Sequence, residues 1–419
     1  MTALTTAVRG EPAPVPRATL GSHVRDYLGR VRGGDIGALP AVLGLVVLCT
    51  VFSVMRPVFL STGNFANLLT QGAPVTVIAM GLIFVLLIGE IDLSAGFASG
   101  VCASVLAILL TTYQVPWFVS VPVAVGVGTV IGLVLGFLVA KVGIPSFVVT
   151  LAAFLGFQGA VLLLLKEGTI VRVSDNVIIA IANKNMPPLF GWLLALVTIG
   201  GFALVQLVRW ALRTNRGLIA DPLAVVLGRV GLVTVLVGAS VYLLNLERSR
   251  NPQFASLKGV PYVVPIILVL LLACTFVLGR TAYGRYLYAI GGNVEAARRA
   301  GIPVDRIRIS AFMICSSLAA IGGIIAASKA ASVDPNTGGS NVLLYAVAAG
   351  VIGGTSLFGG KGRALDAVLG GAVIAVIING TNLLQLSSSL KFISTGAVLL
   401  LAAGVDALSR RRAAATGHG

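Results

Sequence analysis

Long apolar runs alternate with short polar segments over most of the chain, and the run length is the first signal. A spanning helix needs about 20 mostly apolar residues. Twelve runs come close, near 38–55, 72–89, 93–112, 117–140, 145–165, 189–211, 223–245, 261–279, 308–327, 342–358, 365–384 and 389–408. The pattern predicts an all-α fold, a polytopic membrane helix bundle with about 12 transmembrane segments. The irregular stretch 56–100 leaves room for broken or re-entrant pieces and a count of 10–14. Residues 1–37 are polar and carry Pro12, Pro14, Pro16 and Arg17 with no apolar core before them, so they read as a cytoplasmic tail and not as a cleaved signal. Residues 38–408 form the membrane domain, and 409–419 a second cytoplasmic tail.

Composition agrees with the pattern. The chain is 57% hydrophobic and 11% charged, with mean hydropathy +1.01, too apolar for the surface of a soluble protein. Its 51 glycines suit helices that pack closely in lipid. A net charge of +16 would fit a nucleic-acid binder, but the charges lie in tails and short loops beside apolar runs, which is the signature of membrane orientation. No nucleic acid is expected as a partner; membrane lipid is.

With the N-terminal tail inside, the inner connections hold Lys141; Arg209, Arg213 and Arg216; six arginines in 280–308; Lys361 and Arg363; and Arg410, Arg411 and Arg412. The outer connections are mixed in sign. This places both termini and the 280–308 loop in the cytoplasm. Arg229 falls inside a run and is expected near a helix end, where its head reaches the interface. The outer stretches 166–188 and 328–341 read either as contacts for an extracytoplasmic partner or as plain connections, the latter preferred for any single residue.

Candidate chemistry is sparse. Cys49, Cys102, Cys274 and Cys315 each lie in an apolar stretch without a CxxC pair and read as small buried residues. His23 and His418 are in the tails, so a zinc site or a histidine triad has little to draw on, and no metal is expected. The glycine-rich piece 353–362 fails as a phosphate loop. Thr355 stands where the first glycine is required, and Gly362 follows Lys361 where Ser or Thr is required. Glu90 and Asp92, flanked by Gly89, Gly96 and Gly100, read as loop acids or as a polar feature facing the protein interior. Gln71, Thr76, Gln158, Asn379, Thr381, Asn382 and Gln385 are polar groups in apolar runs, suited to an uncharged polyhydroxy solute or to helix–helix hydrogen bonds.

The 279–301 stretch differs from its surroundings. Asn293 can cap a short helix, Glu295 suits its positive end, Arg298 and Arg299 its negative end, and Gly301 with Pro303 stop it. Such a piece is either a handle for a soluble partner or an ordinary charged loop.

Three segments together resemble a known family: MGLIFVLLIGEIDLSAGFASG (80–100), GRYLYAIGGNVEAARRAGIPVDRIRI (284–309) and AGVIGGTSLFGGKGRALDAVLGGAVIAVIINGTNLL (349–384). They look like the permease subunits of ATP-binding-cassette importers for monosaccharides, the group of the ribose and xylose permeases. The resemblance covers most of 40–408. It implies that Asn293, Glu295, Ala296, Ala297, Arg298, Arg299, Ala300 and Gly301 form a coupling helix that docks on an ATPase subunit. Glu90, Asp92, Leu93 and Ser94 fall on the family's acidic motif, where a glycine commonly stands at the position of Glu90. Gly353, Gly354, Ser356, Gly359, Gly360 and Gly362 fall on its glycine motif, and Asn379 and Asn382 on its polar helix. Added length over roughly 200–260 looks more like the xylose branch, so D-xylose is the expected solute, with ribose or another monosaccharide as the alternative.

The resemblance further implies a multi-pass subunit of the bacterial cytoplasmic membrane that pairs as a homodimer and works with an extracytoplasmic sugar-binding protein. ATP and Mg would bind the ATPase subunit and no cofactor this chain, which would not itself be an enzyme. Gln71, Asp92, Ser94, Gln158, Asn379 and Asn382 are the candidate pathway residues. The rival class, an ion-coupled secondary transporter, needs ionisable groups at mid-depth, and the chain offers Glu90 and Asp92. A membrane enzyme is disfavoured because no nucleophile–base pair is visible.

Overall fold

The computed structural model describes residues 39–166, 169–218, 220–249, 251–253 and 256–387, with isolated positions between 389 and 404. Both tails and most of the twelfth run, 389–408, lie outside the described residues.

In chain order the α-helices are α1 (Leu39–Met55), α2 (Thr62–Leu87), α3 (Ala95–Thr111), α4 (Trp117–Phe137), α5 (Ser146–Leu165), α6 (Asn176–Asn183), α7 (Pro188–Asn215), α8 (Leu223–Asn245), α9 (Val263–Arg280), α10 (Ala282–Gly292), α11 (Val294–Arg299), α12 (Val304–Ala330), α13 (Ser340–Gly353) and α14 (Ala364–Leu383). A π turn, Leu138–Val142, continues α4. Two-residue strands β1 (Val171–Arg172) and β2 (Ser332–Val333) pair antiparallel, Val171 opposite Val333.

Among the described residues eight helices are long and apolar enough to cross a membrane: α2, α4 with its π turn, α5, α7, α8, α9, α12 and α14. Helices α1, α3 and α13 are apolar but shorter. At 1.5 Å per residue the 17 residues of α3 rise about 25 Å and the 14 of α13 about 21 Å, short of a hydrocarbon core of roughly 30 Å. The run expected at 342–358 thus ends early, at Gly353, because Gly354 turns left-handed (φ 115°) and caps the helix. The run expected at 72–89 starts ten residues sooner. The Ser61 hydroxyl caps α2 by accepting from the Asn64 amide, and polar Asn67 and Gln71 follow on its first turns. The stretch 166–188 is more than a connection, since Asp175 caps the amphipathic α6 within it.

Helices α12, α2 and α14 make the core, with 61, 78 and 72% of their apolar windows buried, against 11% for α7 and α8. Glycines at every fourth position of α4 set its approach to α12. A Cβ at Gly128 would lie 2.6 Å from the Ser316 carbonyl, and one at Gly136 2.7 Å from the Ile309 Cα. Small residues at that spacing let two backbones touch. Arg229 sits in the second turn of α8 and pairs with Asp221 at 2.8 Å.

Candidate functional site

The α10–α11 pair is built from its own caps. Thr281 accepts from the Gly284 amide to start α10, which buries Gly284, Leu287 and Ile290. Asn293 serves both helices. Its amide donates to Ala289 at the end of α10, and its side-chain oxygen accepts from the Ala296 amide at 2.9 Å to start α11. Gly301 is left-handed (φ 79°), and the chain then turns into α12. Within 293–301 only Ala297 is buried; Asn293, Glu295, Ala296, Arg298, Arg299, Ala300 and Gly301 are exposed. Glu295 lies 3.6 Å from Arg298 and 3.4 Å from Arg299, all three more than half exposed, so these pairs shape the surface and add little stability. The result is a short charged helix with one buried anchor and an open outer face.

Beneath it α10 meets two non-helical segments. Gly291 packs on the Leu87 carbonyl and the Gly360 amide so closely that a Cβ would overlap both. The Gly360 amide donates to the Leu87 carbonyl at 2.9 Å, joining the end of α2 to the 354–363 loop. The Tyr288 hydroxyl donates to the Gly362 carbonyl at 2.7 Å. Next to that loop, in the first turn of α14, Asp366 is nearly fully buried. It accepts from the Arg363 amide at 2.8 Å and the Thr355 hydroxyl at 3.2 Å, and pairs with the Arg363 guanidinium at 3.0 Å. These bonds cap α14 and fold the glycine-rich piece against itself.

The second non-helical segment, 88–94, joins α2 to α3. Asp92 and Ser94 are both fully buried. One Asp92 carboxylate oxygen accepts from the Ser94 amide at 2.8 Å and its hydroxyl at 2.6 Å; the other takes the Cys315 thiol at 3.5 Å. Cys102, Cys274 and Cys315 are free and buried as expected and Cys49 only part-buried, and Cys315 adds a weak thiol contact to Asp92. It lies about 16 Å along α12 from Val304, so Asp92 sits near mid-depth of the bundle. The start of α5 holds the same loop. Ser146 accepts from the Ile91 amide at 3.4 Å, and Thr150 donates to the Ile91 carbonyl at 3.2 Å. Glu90 pairs with Arg308 of α12 at 3.2 Å, their side chains 15 and 20% exposed.

The structure brings together two pairs of the predicted pathway residues, Asp92 with Ser94 and Gln71 with Asn379. The Asn379 amide donates to Gln71 at 3.1 Å, while its own buried oxygen has no partner. Asn382, one turn on, is exposed, and so is Gln158 on α5. Among the described residues Gln158 makes no hydrogen bond to either pair.

Sequence reasoning missed a cavity of about 190 Å³ at the far end of the bundle from α11. Asn67, Thr70, Asn183, Asn185, Arg248 and Lys329 line it. Lys329 donates to Thr70 at 2.8 Å. Beside it Glu247 accepts from the amides of Leu257 and Ser249 and the Ser256 hydroxyl, and these bonds, the Leu257 amide foremost, hold its carboxyl down to about 2. Only folding reveals this group, because its members come from five segments. Among the described residues no three of His, Cys, Asp and Glu gather as a metal site would require.

Comparison with known proteins gives one family model, described as branched-chain amino acid transport system / permease component, matching residues 64–403. A xylose transport system permease protein of Escherichia coli (strain K12) is 36% identical over 360 residues, 84% of this chain and 87% of the relative. Its counterpart from Haemophilus influenzae (strain ATCC 51907 / DSM 11121 / KW20 / Rd) is 32% identical over 377 residues, 88% of this chain and 96% of the relative. A ribose import permease protein of Escherichia coli (strain K12) is 31% identical over 366 residues, 87% and 92% of the two chains. No solved structure matches.

Proposed function

The chain belongs to the branched-chain amino acid transport system / permease component family, as a permease of the xylose and ribose group, and from that premise we propose that it carries D-xylose inward as the membrane subunit of an ATP-driven importer. The observation that carries the mechanism is the α10–α11 unit. Its outer face is charged and open, while its inner face is wedged against the ends of both non-helical loops. A partner ATPase that closes on ATP pushes on Asn293–Gly301, and the push reaches α2 and the 354–363 loop through Gly291 and Tyr288. The energy comes from ATP and Mg on that partner, and this chain has no enzymatic role of its own. A ligand shifts a two-state equilibrium only by its difference in affinity for the states; ATP below and the loaded sugar-binding protein above supply that difference.

In this reading α11, the tails 1–37 and 409–419 and the 280–308 loop face the cytoplasm, and residues 38–408 form the permease domain in the bacterial cytoplasmic membrane. The polar cavity at Lys329 faces the sugar-binding protein. Two copies form the pathway. Gln158 supports the pairing: an exposed amide in the middle of an apolar helix has no hydrogen-bond partner in lipid and is satisfied by a second copy or by the solute. Gln71, Asp92, Ser94, Asn379 and Asn382 complete the candidate pathway, the unpartnered oxygen of Asn379 being one place for a sugar hydroxyl.

The test is uptake into liposomes holding the complete importer, with ATP inside and loaded binding protein outside. D-xylose is expected to be taken up ahead of D-ribose and to stimulate ATP hydrolysis. Preference for ribose removes the xylose assignment, and uptake without ATP removes the importer assignment. Asp92 favours a second reading, an ion-coupled transporter, because a carboxylate at mid-depth is the group such a mechanism uses. One of its oxygens holds Ser94 at the start of α3 and the other takes the Cys315 thiol of α12, which gives it a structural reason to be there. Collapsing the proton gradient with ATP maintained separates the two readings.

A further inference from the structure

We propose that the Glu90–Arg308 ion pair is the link through which the α11 helix controls the 88–94 loop, which makes both residues positioning residues for transport. The inference rests on the importer reading above.

Arg308 is the fifth residue of α12, directly after the turn that leaves α11. A displacement of α11 therefore enters α12 at the turn of helix that carries Arg308. Glu90 stands two residues before Asp92, whose oxygens hold Ser94 and face Cys315, itself two turns beyond Arg308 on the same helix. The loop thus has two attachments to α12, a strong charged one at Arg308 and a weak one at Cys315. Its other side is fastened to α5 by Ser146 and Thr150. When α12 moves relative to α5, the loop must follow one or the other.

The pair is suited to that role. It is sheltered, so water screens it little, and the Arg308 Nε is buried without a partner, so the guanidinium has no competing tie on that edge. A neighbouring pair, Lys141 with Asp305 at 2.8 Å, joins the π turn after α4 to the first turn of α12, but it is half exposed and screened.

The experiment uses the complete importer in liposomes and reads two quantities, sugar moved per ATP hydrolysed and stimulation of hydrolysis by loaded binding protein. Glu90→Gln and Arg308→Gln are each expected to lower sugar moved per ATP by about tenfold, toward the lower end of the usual range for coupling between sites. Basal hydrolysis stays within twofold of wild type, and the exchange Glu90→Arg with Arg308→Glu recovers most of the loss. Should a single variant fail to assemble, the neutral double variant Glu90→Gln with Arg308→Gln leaves no orphan charge and is expected to assemble yet remain uncoupled. A wild-type ratio in that double variant, or in either assembled single variant, overturns the proposal, and so does failure of the exchanged pair to recover. A wild-type importer that shows no sugar-stimulated hydrolysis instead overturns the functional reading beneath it.

Discussion

Replacing Gly291 by alanine tests the junction under α11 most directly. The new methyl group would overlap the Leu87 carbonyl oxygen on one side and the Gly360 amide on the other, and neither is a side chain that can swing away. The end of α10 must therefore lift off α2 and the 354–363 loop. Lifting threatens two bonds, Gly360 amide to Leu87 carbonyl at 2.9 Å and Tyr288 hydroxyl to Gly362 carbonyl at 2.7 Å. Overpacking costs about 1–3 kcal/mol, and each of the two lost bonds about 1 kcal/mol more, so the sum is roughly 3–5 kcal/mol. The internal control is the next residue. A Cβ at Gly292 would meet nothing within 4 Å, and alanine there should be neutral or raise helix stability by up to about 1 kcal/mol. Thermal unfolding of the purified chain and sugar-stimulated ATP hydrolysis by the complete importer should both fall for Gly291→Ala and hold for Gly292→Ala. Equal behaviour of the two variants would refute the wedge.

Three further outcomes follow from named contacts. Asn293→Ala removes the cap of α11 and should cost about 1 kcal/mol, read as lower affinity of the ATPase subunit for the chain, with Asn293→Asp recovering it. Asp92→Ala strips the partners from the buried Ser94 amide and hydroxyl and should lower stability by about 1–3 kcal/mol in detergent melts, whereas Asp92→Asn, which keeps an acceptor, should cost less. Glu247 has a folded value of about 2 against an ordinary 4.5, so its support for the 247–257 loop is complete above about 4.5 and disappears as pH falls through about 2. Protection of the Leu257 amide, corrected for intrinsic exchange, should drop across that window and should stay flat in Glu247→Gln.

The sequence made legible whatever depends on neighbours along the chain. Asn293, Glu295, Arg298, Arg299, Gly301 and Pro303 encode a short helix locally, and α11 is found where they put it. The apolar runs likewise give the long helices, since run length alone meets the bilayer. What was hidden depends on residues far apart. Cys315 reads as an apolar core residue until folding sets its thiol against Asp92, 223 positions away. Arg308 counts as one of six loop arginines until α12 is seen to start at Val304 and carry it inward to Glu90. The early start of α2 was masked because its first turns carry Asn64, Asn67, Thr70 and Gln71; Asn64, Thr70 and Gln71 bond within the protein, and Asn67 lines the polar cavity. Gly291 gave no signal at all: a glycine in a helix is conspicuous only once the backbone it touches is known.

The two short helices explain why the junction can work as one device. A helix too short to span leaves backbone amides and carbonyls at depth, and hydrocarbon cannot satisfy them. Here protein does, at 88–94 through Ser146, Thr150 and Asp92, and at 354–363 through Asp366, Tyr288 and Leu87. The bond from Gly360 to Leu87 ties the second loop to the helix from which the first one departs. Helix α10 rests on that bond at Gly291, and α12 grips the first loop at Glu90. Because α10 and α12 are the two neighbours of α11, a force applied at α11 reaches both loops within one helix length. Among the described residues the mostly exposed long helices α7 and α8 pack on the opposite end of α2, at Phe65, Ala66 and Leu69, and substitutions on their exposed faces should change insertion without changing the sugar moved per ATP.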